Sequence, residues 1–141
     1  MAASAPLQLL AEDPVDLAVI SAALQDAVAK VGDIAFEARA RRLTITFNRF
    51  RWEARSRQRV RSALQLGGVL KMQQRKIRRD RPDAVLELLA IAFEAEEAPG
   101  GLLTLSFAGG GDLRVWIECV DAVLADISAP WPTPRSPAHE A

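Results

Sequence analysis

Five arginines alternate along two short stretches of the chain, Arg49 and Arg51, then Arg57, Arg59 and Arg61. Successive side chains of an extended strand point to opposite faces, so Arg49, Arg51 and Glu53 share one face, while Phe50 and Trp52 share the other. Arg57, Arg59 and Arg61 align in the same way, opposite Val60 and Ser62. Set side by side, two such strands display about five guanidinium groups on one solvent face. Guanidinium forks match phosphate and carboxylate oxygens bidentately, so this face can hold nucleic acid, anionic lipid or an acidic protein. The competing reading is a solvated sheet face neutralised by acids from the rest of the chain, since like charges packed across strands repel. Sheets that recognise RNA carry exposed aromatics among glycines in a definite pattern. Asn48 to Glu53 does not match it, which assigns Phe50 and Trp52 to the core and makes nucleic acid a possible but not a favoured partner.

The remaining residue chemistry is sparse. Cys119 is the only thiol and His139 the only imidazole. Cys119 falls in an alternating apolar run, where a free cysteine acts as a small buried hydrophobe, so it is expected in the core. A Cys–His dyad would need the proline-rich end of the chain to fold back. With one Cys and one His, a transition-metal site lacks its usual ligands, and no cofactor is expected. Glu96-Glu97 precedes Pro99-Gly100 and reads as a solvated turn. Gly109-Gly110-Gly111 invites a phosphate-cradle reading, but such cradles lie between a strand and a helix N-terminus. Here Asp112 and a second strand follow, so the glycines are read as a hairpin turn.

Charge is sorted by position. Between Arg39 and Arg81 lie fifteen of the eighteen Lys and Arg residues, against two acids, Glu53 and Asp80. The flanks carry three bases and sixteen acids, so the formal zero charge is a +13 segment balanced by −13 elsewhere. Such asymmetry bears on partners and solubility rather than on fold. With 141 residues, half of them apolar and 26% charged, the chain fits one domain spanning 1–141. Residues 1–6 are expected as a flexible N-terminus without the basic and apolar regions of a signal peptide, and 129–141 as a proline-rich extended tail. The longest apolar run, Ala84 to Phe93, is too short to span a bilayer, and a reducing cytoplasm is the expected setting.

The elements that must position these residues read as follows. Asp13 suits a helix cap and Pro14 the first helical position, and Leu17, Ile20, Leu24, Val28 and Val31 recur at helical spacing. The pattern predicts an amphipathic helix over about 14–31, ended by Gly32. From Ile34 the period becomes two. Strands are expected at Ile34–Phe36, from Leu43 towards Glu53 with a β-bulge near Asn48, at Val60–Leu66, and from Leu70. Another runs from Val85 to Phe93, central and buried on both faces, and a hairpin spans Leu103 to Cys119. Val120 to Ile127 fits either a strand or a helical turn, and Trp131 is the residue able to anchor the tail. Short connections imply antiparallel pairing. The expected fold is α+β: an antiparallel, strongly curved sheet or open barrel of about six to seven strands with one N-terminal amphipathic helix.

Several segments resemble domain-of-unknown-function family 2948, a group of small bacterial proteins. They are Asp16 to Val28, Asn48-Arg49-Phe50-Arg51-Trp52-Glu53, Arg61-Ser62-Ala63-Leu64, Leu88 to Phe93, Phe107 to Gly111 and Ile117-Glu118-Cys119. The likeness covers about residues 7–139. It implies a small cytoplasmic protein and carries no activity, cofactor or catalytic residue. The sequence reading is therefore a binding or interaction module for an anionic partner, an acidic protein surface, another copy of the chain or a phosphate-bearing molecule, through Arg49, Arg51, Arg57, Arg59 and Arg61. The alternative is a small enzyme built on Arg49 with a carboxylate such as Glu53.

Overall fold

The computed structural model describes residues 6–134 and 137. Helix α1 (Pro14–Ala23) begins where the sequence requires it: the Asp13 side chain accepts the Asp16 N–H at 2.8 Å, and Pro14 fills the first turn. Leu17, Ile20 and Leu24 are all buried. The helix is shorter than the expected 14–31. Asp26 turns the chain with a left-handed φ of 62°, a conformation aspartate tolerates better than most residues. Val28 then belongs to strand β2 (Val28–Lys30), and Val31 opens a 3-10 turn, Val31–Asp33. The apolar spacing continues past residue 24 because a strand and a 3-10 turn reach the same core in succession. Gly32 is not a helix cap; its N–H bonds Pro82 O at 2.9 Å, close against that proline.

Ten further strands complete the described residues. They are β1 (Gln8–Ala11), β3 (Ile34–Glu37), β4 (Arg42–Phe50), β5 (Gln58–Leu66), β6 (Val69–Arg75), β7 (Val85–Ala95), β8 (Gly101–Phe107), β9 (Asp112–Ile117), β10 (Ala122–Asp126) and β11 (Trp131–Pro132). Every pairing is antiparallel. The main path runs β1-β10-β5-β4-β2-β7-β8-β9-β6, with β3 added to β4 and β11 to β5. Antiparallel α+β architecture with one α-helix is thus as expected. The six-to-seven-strand barrel is not: the sheet has eleven strands and is neither closed nor strongly curled. The additional strands are short or irregular (β1, β2, β11), too brief for alternation to show in the sequence. Residues 120–127, open between strand and helix, contain β10.

The core draws on both ends of this path. Leu43, Ile45 and Phe47 of β4 and Leu64 and Leu66 of β5 join Leu103, Leu105 and Phe107 of β8, Leu113, Val115 and Ile117 of β9, and the helix residues. Strand β7 is central, between β2 and β8, but not buried on both faces. A register shift between Leu88 and Ala90 turns Leu88 and Ile91 inward and leaves Leu89 half exposed at 49%. Helix α1 covers β7 here, where Ser21 Oγ accepts the Ile91 N–H at 3.0 Å. Cys119 also departs from expectation. It lies beyond the end of β9 and is exposed, because the alternating run stops at Ile117 and the chain turns towards β10.

Candidate functional site

The hairpin of β4 and β5 carries all five arginines singled out by sequence, and its register decides where they point. The ladder runs unbroken from Leu43↔Leu66 to Phe50↔Arg59, with no bulge near Asn48. An odd residue of β4 always faces an even residue of β5, so Arg49 lies opposite Val60, while Arg59 lies opposite Phe50 and Arg61 opposite Asn48. Direct partners share a face. Arg49 therefore continues the inward row of Leu43, Ile45 and Phe47, whereas Arg59 and Arg61 stand on the outer face. The single five-arginine face is not formed. Alternation sorts the arginines correctly within each strand, but the parity between strands is fixed by the loop joining them.

Arg49 is fully buried. Its Nε donates to Asp126 Oδ1 at 3.0 Å and to Ser62 Oγ at 3.2 Å. One terminal nitrogen reaches Glu53 Oε1 at 3.0 Å and the Phe50 carbonyl at 3.4 Å, and the other reaches Glu53 Oε2 at 2.8 Å and Asp126 Oδ2 at 2.9 Å. Asp126 is itself buried at the side chain and also accepts the Ser62 hydroxyl at 2.6 Å and the Leu7 N–H at 2.9 Å. This network ties β1, β4, β5 and β10 together under the hairpin. Burial opposes the charged form of Arg49, and the two carboxylates outweigh it, so the guanidinium is held more firmly protonated than usual. Burial likewise works to raise the Asp126 carboxyl, but the bonds from Arg49, Ser62 and Leu7 hold it below the usual aspartate range. The Arg49 hydrogen bond holds Glu53 below the ordinary glutamate range as well. With its nitrogens all engaged, Arg49 belongs to the fold.

Arg51 follows the strand end and is buried at 3%, bonded to the Gln58 side chain and 3.6 Å from Glu53. Arg61 is 3.6 Å from Asp33. Arg57 and Arg59 meet carbonyl oxygens instead, Pro134 O at 2.8 Å and Asn48 O at 3.4 Å. Among the described residues neither has a carboxylate partner, and neither has Arg55 in the hairpin loop. Strand alternation does not single out Arg55, because it belongs to no strand. Trp52, expected in the core, is 41% exposed, with its ring edge-on to Phe50 at 4.8 Å between centroids. Phe50 itself is buried, as expected. Strand β11 lines the other edge of β5 and sets Trp131, 38% exposed, directly opposite Arg59. A pocket of about 90 Å³ adjoins the outer face, lined among others by Lys30, Asp33, Thr46, Asn48 and Arg61.

Other chemistry is thin. Cys119 lines a second hollow of about 270 Å³ with Glu12, Asp13, Phe93 and Pro99. His139, the other half of any Cys–His dyad, lies outside the described residues. Among the described residues no three His, Cys, Asp or Glu side chains gather as metal ligands, and no helix is long and apolar enough to cross a membrane. The glycines 109–111 lie at the turn of the β8–β9 hairpin; Gly109 and Gly110 take positive φ and Phe107 N–H bonds Gly111 O.

Fold and site together define an antiparallel α+β protein whose polar chemistry concentrates on one arginine-rich hairpin. The model of the family described as "Protein of unknown function (DUF2948)" matches residues 7–139, and the chain belongs to that family. No curated protein and no solved structure matches it.

Proposed function

We propose that the protein is a non-catalytic binding module that takes an anionic partner on the outer side of the β4–β5 hairpin. The observation that carries this reading is the division among the arginines. Arg49 and Arg51 are neutralised inside the fold, while Arg55, Arg57 and Arg59 have no carboxylate partner among the described residues. Unpaired cations grouped on one surface attract and orient an anion. Arg61, bound to Asp33, sits beside them and is available by exchange of partner. The enzymatic alternative on Arg49 and Glu53 gains no support from this geometry, since Arg49 is buried with its guanidinium saturated by Glu53 and Asp126, and both Glu53 oxygens are bonded to it. The module is read as a small bacterial cytoplasmic protein, in keeping with its unpaired cysteine.

The test compares two double substitutions that remove equal charge. Arg55→Ala with Arg59→Ala should weaken binding of inorganic polyphosphate about tenfold or more, whereas Arg39→Ala with Arg79→Ala, away from the hairpin, should change it less than about threefold. Equal losses from both pairs would reduce the effect to net charge and leave the hairpin no special part in binding.

A further inference from the structure

The outer face of the hairpin holds more than charge. Phe50, Arg59 and Trp131 occupy directly opposed positions on three neighbouring strands, β4, β5 and β11. They form one row on one face, an arginine between two aromatic residues. Trp52 extends the row at the Phe50 end, edge-on to that ring, and both tryptophans keep more than a third of their surface exposed. Arg55 and Arg57 flank the row in the loop that leads into β5. Of the acids placed against this hairpin, Glu53 and Asp126 are committed to Arg49 and Asp33 to Arg61, so they form no ion pair with Arg55, Arg57 or Arg59.

Two residues further along the same face, Asn48 lies opposite Arg61, and both line the pocket of about 90 Å³. Asn48 Oδ1 is buried there without a hydrogen-bond partner among the described residues. A buried acceptor without a donor is costly, so this atom is a place for an N–H group brought by a ligand. Phosphodiester groups offer no such donor. Nucleobases do, and they also supply flat faces for stacking.

We infer that the anionic partner is a single-stranded nucleic acid, whose bases stack on Trp131 and Trp52, whose phosphates meet Arg55, Arg57 and Arg59, and one of whose bases donates to Asn48. The inference rests on the anion-binding reading of this hairpin and adds the class of the ligand. Base–aromatic stacking beside a basic groove is how single strands are held without a fixed sequence, since every base has a π-face. A duplex hides those faces, so it binds more weakly. The aromatic residues come from β4, its following loop and the tail strand, which explains why no local RNA-recognition pattern marks them in the sequence.

The experiment uses the full chain, a single-stranded DNA oligonucleotide of about 12 nucleotides, its duplex, and inorganic polyphosphate of matched charge. The oligonucleotide should quench tryptophan fluorescence and bind roughly tenfold tighter than polyphosphate or duplex. Trp131→Ala should lower oligonucleotide affinity about tenfold and leave polyphosphate affinity unchanged, while Trp131→Phe should retain most of the binding. Thermal melting of each variant controls for folding, and the quenching of the unmodified protein gives a readout independent of any variant. If oligonucleotide and polyphosphate bind equally and no quenching occurs, the nucleic-acid inference fails while anion binding stands. If neither binds, both fail, and salt-sensitive self-association by sedimentation would then assign the surface to a second copy of this chain.

Discussion

Arg49 shows how a residue type can be read correctly and its direction missed. An arginine with Glu53 four residues on is legible as a chemical group, and the pair does form. That Asp126, from the other end of the chain, completes the network is not legible, since only the β5–β10 pairing brings it there. Glu53 still compensates the Arg49 charge when Asp126 is removed, but Arg49, Ser62 and the Leu7 N–H each lose a buried acceptor, so Asp126→Ala should cost about 1–3 kcal/mol by chemical denaturation. A loss below about 1 kcal/mol would contradict the described burial. The pH dependence has a definite sign. Asp126 and Glu53 are held below their ordinary values, so their stabilisation is fully present above the unfolded carboxyl values near about 4 and lost as pH falls through the lower folded values. Melting temperature should therefore fall more steeply below about pH 4 in the unmodified protein than in Asp126→Asn. Cys119 gives the converse lesson: its apolar neighbours are core residues, but the strand ends at Ile117, before the chain reaches it. A thiol reagent should label it in the folded protein without denaturant, and Cys119→Ser should change stability by no more than about 0.5 kcal/mol.

At the scale of elements, periodicity is legible wherever an element is long. β4, β5, β8 and β9 lie where alternation puts them, and the Asp13–Pro14 signal marks the start of α1. The end of α1 is not legible, because Val28 and Val31 continue a helical spacing while serving a strand and a 3-10 turn. Leu24, just past the last helical residue, is fully buried and part of the core, so Leu24→Ala should cost roughly 2–5 kcal/mol. The same truncation at Val19, 53% exposed on the helix's outer side, should cost under about 0.5 kcal/mol. Denaturant titration of the two variants separates the buried stripe from the solvent side. The tail strand is legible only as an anchored extended segment. Its seat on β5 depends on Thr133 N–H to Arg57 O at 3.0 Å and Ile127 N–H to Arg61 O at 2.8 Å, contacts between residues far apart in sequence.

For the whole molecule, the sorted charge resolves into two populations. Arg41, Arg42, Arg49, Arg51, Arg61, Arg75 and Arg78 find carboxylates, several of them from the acidic flanks: Glu118, Glu37, Asp126, Asp33 and Asp112. Much of the asymmetry is therefore self-neutralising, which is the outcome the competing reading of the sequence expects. Lys71 instead sits over the Trp116 ring at 4.6 Å. Arg55, Arg57 and Arg59 remain on the hairpin without carboxylate partners among the described residues, and a binding role for them requires that a ligand's counterions be released when they engage its phosphates. The direct measurement is the slope of log affinity against log salt for a single-stranded oligonucleotide. The slope should be clearly negative and should become shallower by about 1.4 when Arg55 and Arg59 are both replaced by alanine, at about 0.7 for each phosphate no longer neutralised. An affinity indifferent to salt, or a slope unchanged by the double substitution, would contradict a binding face on this hairpin.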